Sequence, residues 1–373
     1  MQFKLPLILT IFFLPLIQNT CFAEESLLHE ILEASDQRNS AAPVFERVLA
    51  GNNQKEQRQA LLALGRIGDK SSTLKISPFL YSKQPDIRTM AAFALGINKD
   101  IEAHKLLSQI LKTEKHPVVI SQLLISIGNL GHPEGSIASI LPFLSHQDDQ
   151  VVAAACDGLT LAWTFHRSEV SIPNSTQVTK LLKLTNKNQQ LAEHCLFTLS
   201  RLRQDSALFN QEQLKKVALN LTTDGGKILA IRIMGAMQNP DFKSYFINLS
   251  TEKNPARIRA EAAASIAGLG YQKDTLAALK KLAQDHNTLV QVNLIANLPL
   301  DDQPLVEIVE QALQDKSYWV RRSAMLALFG VKHQQLQSKF LSLLKADDFR
   351  SQQLALEKDF KSIHRKGPSQ FNL

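Results

Sequence analysis

The sequence has few of the features that mark an enzyme or a metalloprotein. None of its ten histidines lies in an HExxH or HxH pattern, which are spacings that place two imidazoles on one metal ion. A phosphate-binding P-loop, a GxGxxG turn after a strand and a GxSxG nucleophile motif are also missing. We therefore expect no catalytic residue, no metal ligand and no cofactor, and we predict that the protein is not an enzyme.

Long apolar runs are scarce as well. The run from Leu5 to Ile17 is shorter than the roughly 20 residues that cross a bilayer. It follows Lys4 and precedes a polar patch and Ala23, which is the pattern of a secretory signal peptide. We predict that residues 1–23 are a signal peptide cleaved after Ala23, that the protein is periplasmic or secreted, and that it has no membrane span.

Cysteine is rare, and only two of the three cysteines follow the predicted cleavage site. Cys156 and Cys195 lie in apolar helical stretches. A disulfide needs Cα atoms within about 7 Å, whereas neighbouring helices usually pack about 8–10 Å apart. We predict two buried thiols, and a disulfide between them is the alternative that stays open.

Aromatic residues make up only 6% of the chain, while leucine and alanine are abundant, which favours helices. The net charge is +7 at pH 7, and one positive charge is lost with the signal peptide. This mild basic excess is compatible with an acidic partner, and an exported protein has little reason to meet nucleic acid.

One short pattern recurs along the chain at a nearly constant spacing. A small residue sits at the same place in successive apolar segments, and successive marks are separated by 31, 32, 32, 40, 35, 32, 29 and 33 residues. The marked positions are Gly65, Gly96, Gly128, Thr160, Ser200, Gly235, Ala267, Ala296 and Phe329. A repeat of this length indicates stacked supersecondary units.

Each period contains two amphipathic helical patterns joined by a turn. Pro78 and Pro142 stand at the same place in two of the first helices, so we expect a kink or a late helix start there. Asp86 and Asp149 precede two of the second helices, where we expect them to act as N-caps. The small residues at the marked position are explained if neighbouring helices approach closely there.

The second helices resemble HEAT repeats, and in particular the short bacterial HEAT-like repeats also found in phycobilisome lyases. The segments that carry the resemblance are RQALLALGRIGD, DIRTMAAFALG, IRAEAAASIAGLG and WVRRSAMLALFG. The resemblance implies an all-α protein, a right-handed α-solenoid of about nine HEAT-like hairpins. It would cover residues 24–350, with Phe329 in a terminal cap and residues 351–373 forming a C-terminal cap and a frayed basic tail.

A second resemblance concerns the start of the mature chain. The segment HEILEASDQRNSAAPVF is similar to the start of exported proteins in which a HEAT array precedes a cyclophilin-type peptidyl-prolyl isomerase domain. It implies an alternative function, the substrate-holding array of such a system with the catalytic domain absent from this chain. Di-iron hydroxylases built on HEAT repeats use several His-Glu pairs, whereas this chain has one, His29-Glu30. A chromophore lyase is a third possibility, which the export signal argues against.

Our main functional hypothesis is an exported, non-enzymatic scaffold that binds an acidic or extended protein partner. Solenoids of this kind bind partners along the surface that their second helices line. The candidate binding residues on this surface are Arg58, Arg88, Arg259, Arg321, Tyr318 and Trp319. Two alternatives stay open: the arginines could instead pair with acidic residues of adjacent turns in a ladder that sets repeat geometry, and the aromatic residues could fill the core. Trp163 is predicted to be a core residue.

Overall fold

The computed structural model describes residues 27–133, 135–166, 173–203, 205–270 and 272–328, and every regular element in these ranges is helical. This confirms the all-α prediction. The predicted signal peptide, the terminal cap at Phe329 and the C-terminal tail lie outside the described residues. The helices are α1 (27–36), α2 (Pro43–Leu49), α3 (Gln54–Ile67), α4 (Lys70–Ile76), α5 (Pro85–Asn98), α6 (Ala103–Thr113), α7 (Pro117–Leu130), α8 (Gly135–Ile140), α9 (Asp149–Phe165), α10 (Ser175–Leu184), α11 (Gln189–Ser200), α12 (Gln211–Asn220), α13 (Asp224–Ala236), α14 (Lys243–Leu249), α15 (Ala256–Gly268), α16 (Leu276–Ala283), α17 (Thr288–Asn297), α18 (Gln303–Ala312) and α19 (Tyr318–Leu328).

The helices form an α-solenoid of antiparallel hairpins within two compact units, Met1–Asn220 and Leu221–Leu373. Unit 1 contains the hairpins α2/α3, α4/α5, α6/α7, α8/α9 and α10/α11, followed by α12. Unit 2 begins with α13 and contains the hairpins α14/α15, α16/α17 and α18/α19. We call the odd-numbered helices from α3 to α19 the second helices. Within each unit, successive second helices pack directly against one another.

The helix ends follow local chemistry, with one correction to the predicted caps. The side chain of Asp148, not Asp149, caps α9 by accepting a hydrogen bond from the backbone N–H of Gln150 at 2.8 Å. Asp86 lies inside the first turn of α5, whose N-cap residue Gln84 makes no side-chain cap. A cap must precede the first helical residue to reach the free N–H groups, and α9 begins one residue earlier, and α5 two residues earlier, than the predicted caps imply.

The recurring prolines change the helix type, whereas the sequence predicted a kink or a late start. The α-helix α4 ends at Ile76 and continues as a 3₁₀ turn over Ser77–Tyr81, which contains Pro78. The α-helix α8 ends at Ile140 and continues as a 3₁₀ turn over Leu141–Ser145, which contains Pro142. Proline has no N–H to donate to the preceding turn, so the α-helical pattern cannot continue through it.

The small residues of the repeat mark the places where second helices touch. A Cβ atom added to Gly65 in α3 would lie 2.8 Å from the carbonyl oxygen of Ala94 and 2.9 Å from its Cα, both in α5. A Cβ on Gly96 in α5 would lie 2.9 Å from the Cα of Ser126 in α7. The close approach predicted from the sequence is confirmed, because any side chain at these positions would separate the helices.

The core of each hairpin is built from leucine, isoleucine, valine and alanine. Trp163 in α9 is buried, as predicted. Cys156 and Cys195 are also buried, and both are free thiols. A helix with the length and apolar composition of a membrane span is absent from the described ranges.

Candidate functional site

In two of the second helices, α5 and α15, the fourth residue is an arginine that binds the next repeat, and we call this helix position the ladder position. In α5, Arg88 donates from Nε to Oε2 of Glu114 at 2.7 Å and from Nη2 to Oε1 at 3.0 Å. Its Nη1 atom donates to the backbone oxygen of Ser82 at 2.8 Å. Glu114 lies just before α7 and also accepts hydrogen bonds from two backbone N–H groups of that turn. The arginine of one repeat therefore holds the turn of the next.

Arg259 in α15 repeats this geometry in unit 2. Its Nε and Nη2 atoms donate to Asp285 at 2.9 and 2.8 Å, and Nη1 donates to the backbone oxygen of Asn254 at 2.8 Å. The side chains of Arg259 and Asp285 are only 5% and 6% exposed. The hydrogen bond to Asp285 raises the pKa of Arg259. Burial alone would raise the pKa of Asp285, but the hydrogen bonds from Arg259 and from the N–H of Asn287 bring it below its usual value.

These contacts are those of the ladder alternative at two of the candidate positions. Arg88 and Arg259 place their guanidinium groups against carboxylates of the next repeat, and the carboxylates of Glu114 and Asp285 are almost fully covered. Three of the five N–H donors of each guanidinium are used in these contacts, and the paired carboxylate compensates its positive charge. A binding role for Arg88 and Arg259 stays a prediction.

The other candidates lie closer to solvent. Arg58 is the fifth residue of α3, and its Nη1 atom is 3.8 Å from Oδ2 of the exposed Asp86. Arg321 donates from Nη1 to the backbone oxygens of Asp315 and Lys316 at 2.8 and 2.9 Å. Trp319 is 62% exposed. A binding role for these residues stays a prediction.

Tyr318 is half-buried and lies beside Trp319, with ring centroids 5.1 Å apart. Tyr318 and Trp319 are the first two residues of α19. Because adjacent residues of a helix point in different directions, the Trp319 ring faces solvent while the Tyr318 ring is partly covered. The binding role predicted for this pair also stays a prediction.

A row of apolar side chains lies on the surface of unit 1, at the ninth residue of its second helices. We call it the apolar row, and its members are Leu62, Phe93, Ile125 and Phe197. Phe93 and Phe197 are 36% and 39% exposed, while Leu62 and Ile125 are half-buried. The same position in α9 is Asp157. Side chains at one helix position in stacked repeats point in the same direction, so the row runs across the hairpins.

Polar groups border the apolar row at its α11 end. Oδ1 of Asp157 lies 2.8 Å from Nδ1 of His194, and this hydrogen bond raises the pKa of His194. The guanidinium carbon of Arg201 lies 4.4 Å from the centroid of the Phe197 ring, which is cation–π geometry. The row therefore combines an exposed aromatic ring with a cation at one end.

Comparison with known proteins identifies the repeat. Residues 41–128, which contain α3, α5 and α7, match the family model of HEAT repeats. These residues contain HEAT repeats. A search of curated proteins found no match.

Several solved structures are similar to this chain. An engineered protein is 18% identical, covers 81% of this chain and 92% of its own, and has a TM-score of 0.49. Human deoxyhypusine hydroxylase in complex with glycerol is 14% identical, with 80% and 96% coverage and a TM-score of 0.34. The complex of CpcE and CpcF of phycocyanin lyase from Nostoc sp. PCC7120 is 18% identical, with 68% and 93% coverage and a TM-score of 0.38. At these values we draw no conclusion from them about ligand or activity.

Elsewhere in the part of the chain that the structure describes, the potential metal ligands are dispersed. In the described ranges, His, Cys, Asp and Glu side chains do not come together in groups of three or more that could hold a metal ion. His104 stacks on His132 with ring centroids 4.5 Å apart. Burial and the neighbouring His132 lower the pKa of His104, and its Nε2 atom lies 3.3 Å from the hydroxyl of Ser108.

The sequence reasoning missed the apolar row and placed Arg58 one residue out of register. The residue of α3 that occupies the ladder position is Gln57, whose Nε2 atom donates to the backbone oxygen of Gly51 at 2.7 Å. Gly51 precedes Gln57 by six residues, just as Ser82 precedes Arg88 by six residues. Counting from the predicted start of each second helix would have found both features, because the ninth position is apolar in four of the five second helices of unit 1.

Proposed function

We propose that this protein is an exported, non-enzymatic scaffold that holds a protein partner along the apolar row of unit 1. HEAT-type repeats are suited to protein interaction in general, because stacked hairpins leave a long, continuous helix surface exposed. The proposal adds to this the place of binding and the compartment. The observation that carries it is the row of partly exposed apolar residues at one helix position in α3, α5, α7 and α11.

The composition of the row supports a protein partner. Exposed aromatic rings set in a well-packed surface are typical anchors of protein interfaces, and Phe93 and Phe197 have this character. From α3 to α11 there are four steps between neighbouring second helices, which at about 8–10 Å each give a path of roughly 30–40 Å. An extended segment of about ten residues has that length.

The charges beside the row favour a partner with acidic groups near its apolar anchors. The side chain of Arg58 is 42% exposed at the α3 end, and Arg201 is exposed at the α11 end. Cations at the rim of an interface chiefly steer association and select the partner's charge. We therefore expect binding to weaken as salt is added, since exposed charges are screened.

Capture of partners with site-specific crosslinking tests the binding surface. A photoreactive residue at Phe93 or Phe197 should crosslink to the partner in an envelope fraction, whereas one at Leu74 in α4 or Leu219 in α12 should not. The control positions are also exposed leucines, 69% and 66%, but they lie on helices outside the apolar row.

Substitution provides the matched binding measurement. The double variant Phe93→Ser/Phe197→Ser should bind the captured partner at least tenfold more weakly, since each anchor is worth more than 1 kcal/mol in a typical interface. The control variant Leu74→Ser/Leu219→Ser should bind as the wild type does. Equal binding by both double variants would place the partner elsewhere on the molecule.

The export part of the proposal is tested separately. When the full gene is expressed in a bacterium, the mature protein should be recovered from the periplasm or medium with Glu24 as its first residue. A chain that keeps residues 1–23 and stays with the cytoplasmic fraction would refute export without bearing on the apolar row.

A further inference from the structure

Two cysteines meet across the interface between α9 and α11. Cys156 and Cys195 are both completely buried, and their sulfur atoms are 2.6 Å apart. Two unbonded sulfur atoms rest farther apart than this, so the side chains already point at one another. Thr198 of α11 donates from its hydroxyl to the backbone oxygen of Cys156 at 2.9 Å, which shows that the two helices approach closely at this level.

Other pairs along the same interface hold the two helices in register. One turn beyond the cysteines, the hydroxyls of Thr160 and Thr198 are 2.9 Å apart. Asp157, which follows Cys156, and His194, which precedes Cys195, form the hydrogen bond described above. At the start of α9, Asp149 accepts a hydrogen bond from the side chain of Asn188 at 2.6 Å. Pairs above and below the sulfur atoms therefore fix their approach.

We propose that Cys156 and Cys195 form a disulfide that joins α9 to α11 in the mature protein. The oxidising compartment that this requires comes from the export part of the proposed function. Disulfides persist in such compartments. The bond lies directly beneath the α11 end of the apolar row, since Asp157 and Phe197 are within two residues of the two cysteines.

The bond forms by thiol–disulfide exchange with a disulfide-bearing oxidant such as oxidised glutathione. The thiolate of one cysteine attacks a glutathione sulfur, which gives a mixed disulfide and releases one glutathione thiol. The thiolate of the second cysteine then attacks the protein sulfur of the mixed disulfide and releases the second glutathione. The two cysteines lose two protons and two electrons in total, and the oxidant takes them up as two thiols.

The covered position of the thiols sets when oxidation occurs. Hydrogen bonding to Cys195 and burial raise the pKa of Cys156, so the thiolate that attacks a disulfide is scarce in the closed state. Oxidation is therefore expected while the repeats form or when they open locally. Once formed, the buried bond is protected from external thiols for the same reason.

The disulfide closes the longest period of the array. The interval from Thr160 to Ser200 is 40 residues, against about 32 in the other repeats, and it contains α10. A crosslink across a loop of this length restricts the unfolded chain. We expect unit 1 to melt about 5 to 10 °C higher with the bond than without it.

Oxidation of the purified full chain tests the bond apart from its compartment. The protein is held with oxidised glutathione in urea too dilute to unfold it, alkylated, digested and mapped by mass spectrometry without reductant. We expect a linked pair of peptides containing Cys156 and Cys195, two hydrogen masses lighter than the sum of the two thiol peptides. Cys21 is mapped on its own peptide and does not enter the count.

The melting temperature supplies the second readout. Dithiothreitol should lower the Tm of the oxidised chain by about 5 to 10 °C, and the variant Cys156→Ala/Cys195→Ala should be insensitive to it. Recovery of two free thiols, or of a separate glutathione adduct on each cysteine, would overturn the proposal. A linked pair whose reduction leaves the Tm unchanged would confirm the bond and refute its stabilising effect on unit 1. Because the oxidant is supplied in the tube, failure here is distinct from failure of export.

Discussion

A graded series of glycine-to-alanine substitutions tests the close packing of the second helices. At Gly65 the added methyl group would meet backbone atoms of Ala94 at 2.8 and 2.9 Å, so α5 has to move. At Gly235 it would meet the hydroxyl of Ser265, which can rotate away, with the Ser265 Cβ at 3.1 Å. At Gly268, the last residue of α15, it would meet no atom within 4 Å.

The expected free energies follow from these contacts. Alanine gains about 0.5–1 kcal/mol over glycine in a helix, whereas overpacking against atoms that cannot rotate costs about 1–3 kcal/mol. We expect Gly65→Ala to destabilise unit 1 by about 1–2 kcal/mol. Gly235→Ala should be close to neutral, and Gly268→Ala should stabilise unit 2 by about 0.5 kcal/mol.

Urea unfolding resolves the series because each unit contains one tryptophan. In a Trp319→Phe background, fluorescence of the buried Trp163 reports on unit 1, where Gly65 lies. Far-UV circular dichroism compares Gly235→Ala with Gly268→Ala, which share unit 2. The reasoning is refuted if Gly65→Ala is as stable as the wild type, or if Gly268→Ala destabilises as much as Gly65→Ala.

The fold could be read from the sequence because its determinants are local and repeat. Amphipathic period, turn chemistry and the small residues at Gly65 and Gly96 all lie within one hairpin and recur in the next. Where two helices can touch only if a side chain is small, a small residue recurs at one position in each period. The pattern of small residues breaks down at Ala296. This residue is only the ninth of α17, because the helix ends at Asn297 before reaching the position that Gly65 and Gly96 occupy in their helices.

The site was harder to predict because the same residue types serve structure and binding. Gln57 and Arg88 make the same hydrogen bond to a backbone oxygen six residues back, so residue identity does not mark the ladder position. The partner of Arg88 is Glu114, 26 residues ahead, and only the stacking of repeats brings them together. The pattern of charges in the sequence does not distinguish a buried ion pair from a partly exposed cation such as Arg58.

The apolar row shows the same difficulty for hydrophobic residues. Phe93 and Ile125 continue the apolar stripes of their helices, and a helical period assigns them to the core. Their exposure depends on the direction from which neighbouring helices cover the stripe, which is a property of the stack and not of one helix. A row of this kind emerges only when equivalent positions are compared across packed repeats.

Two further perturbations address the ladder and the histidines. Arg259→Met should destabilise unit 2 by about 3–5 kcal/mol because it leaves the carboxylate of Asp285 buried and unpaired. The control Arg58→Met removes a partly exposed charge and should change stability by less than about 0.5 kcal/mol in the same urea assay. The two perturbed histidines of unit 1 should act in opposite directions with pH. Because the pKa of His104 is lowered in the folded protein, the unfolded chain takes up the proton first, and the stability of unit 1 should fall as pH drops below about 6.5, the unfolded value. Because the pKa of His194 is raised, its contribution is present below that pH and is lost as pH rises through the folded value. As the pH is lowered from 8 to 5, the unfolding midpoint should therefore fall less than in the wild type in His104→Asn and more in His194→Asn. Equal changes of the midpoint with pH in the two variants would contradict the assignment of these pKa shifts to burial of His104 and to the carboxylate beside His194.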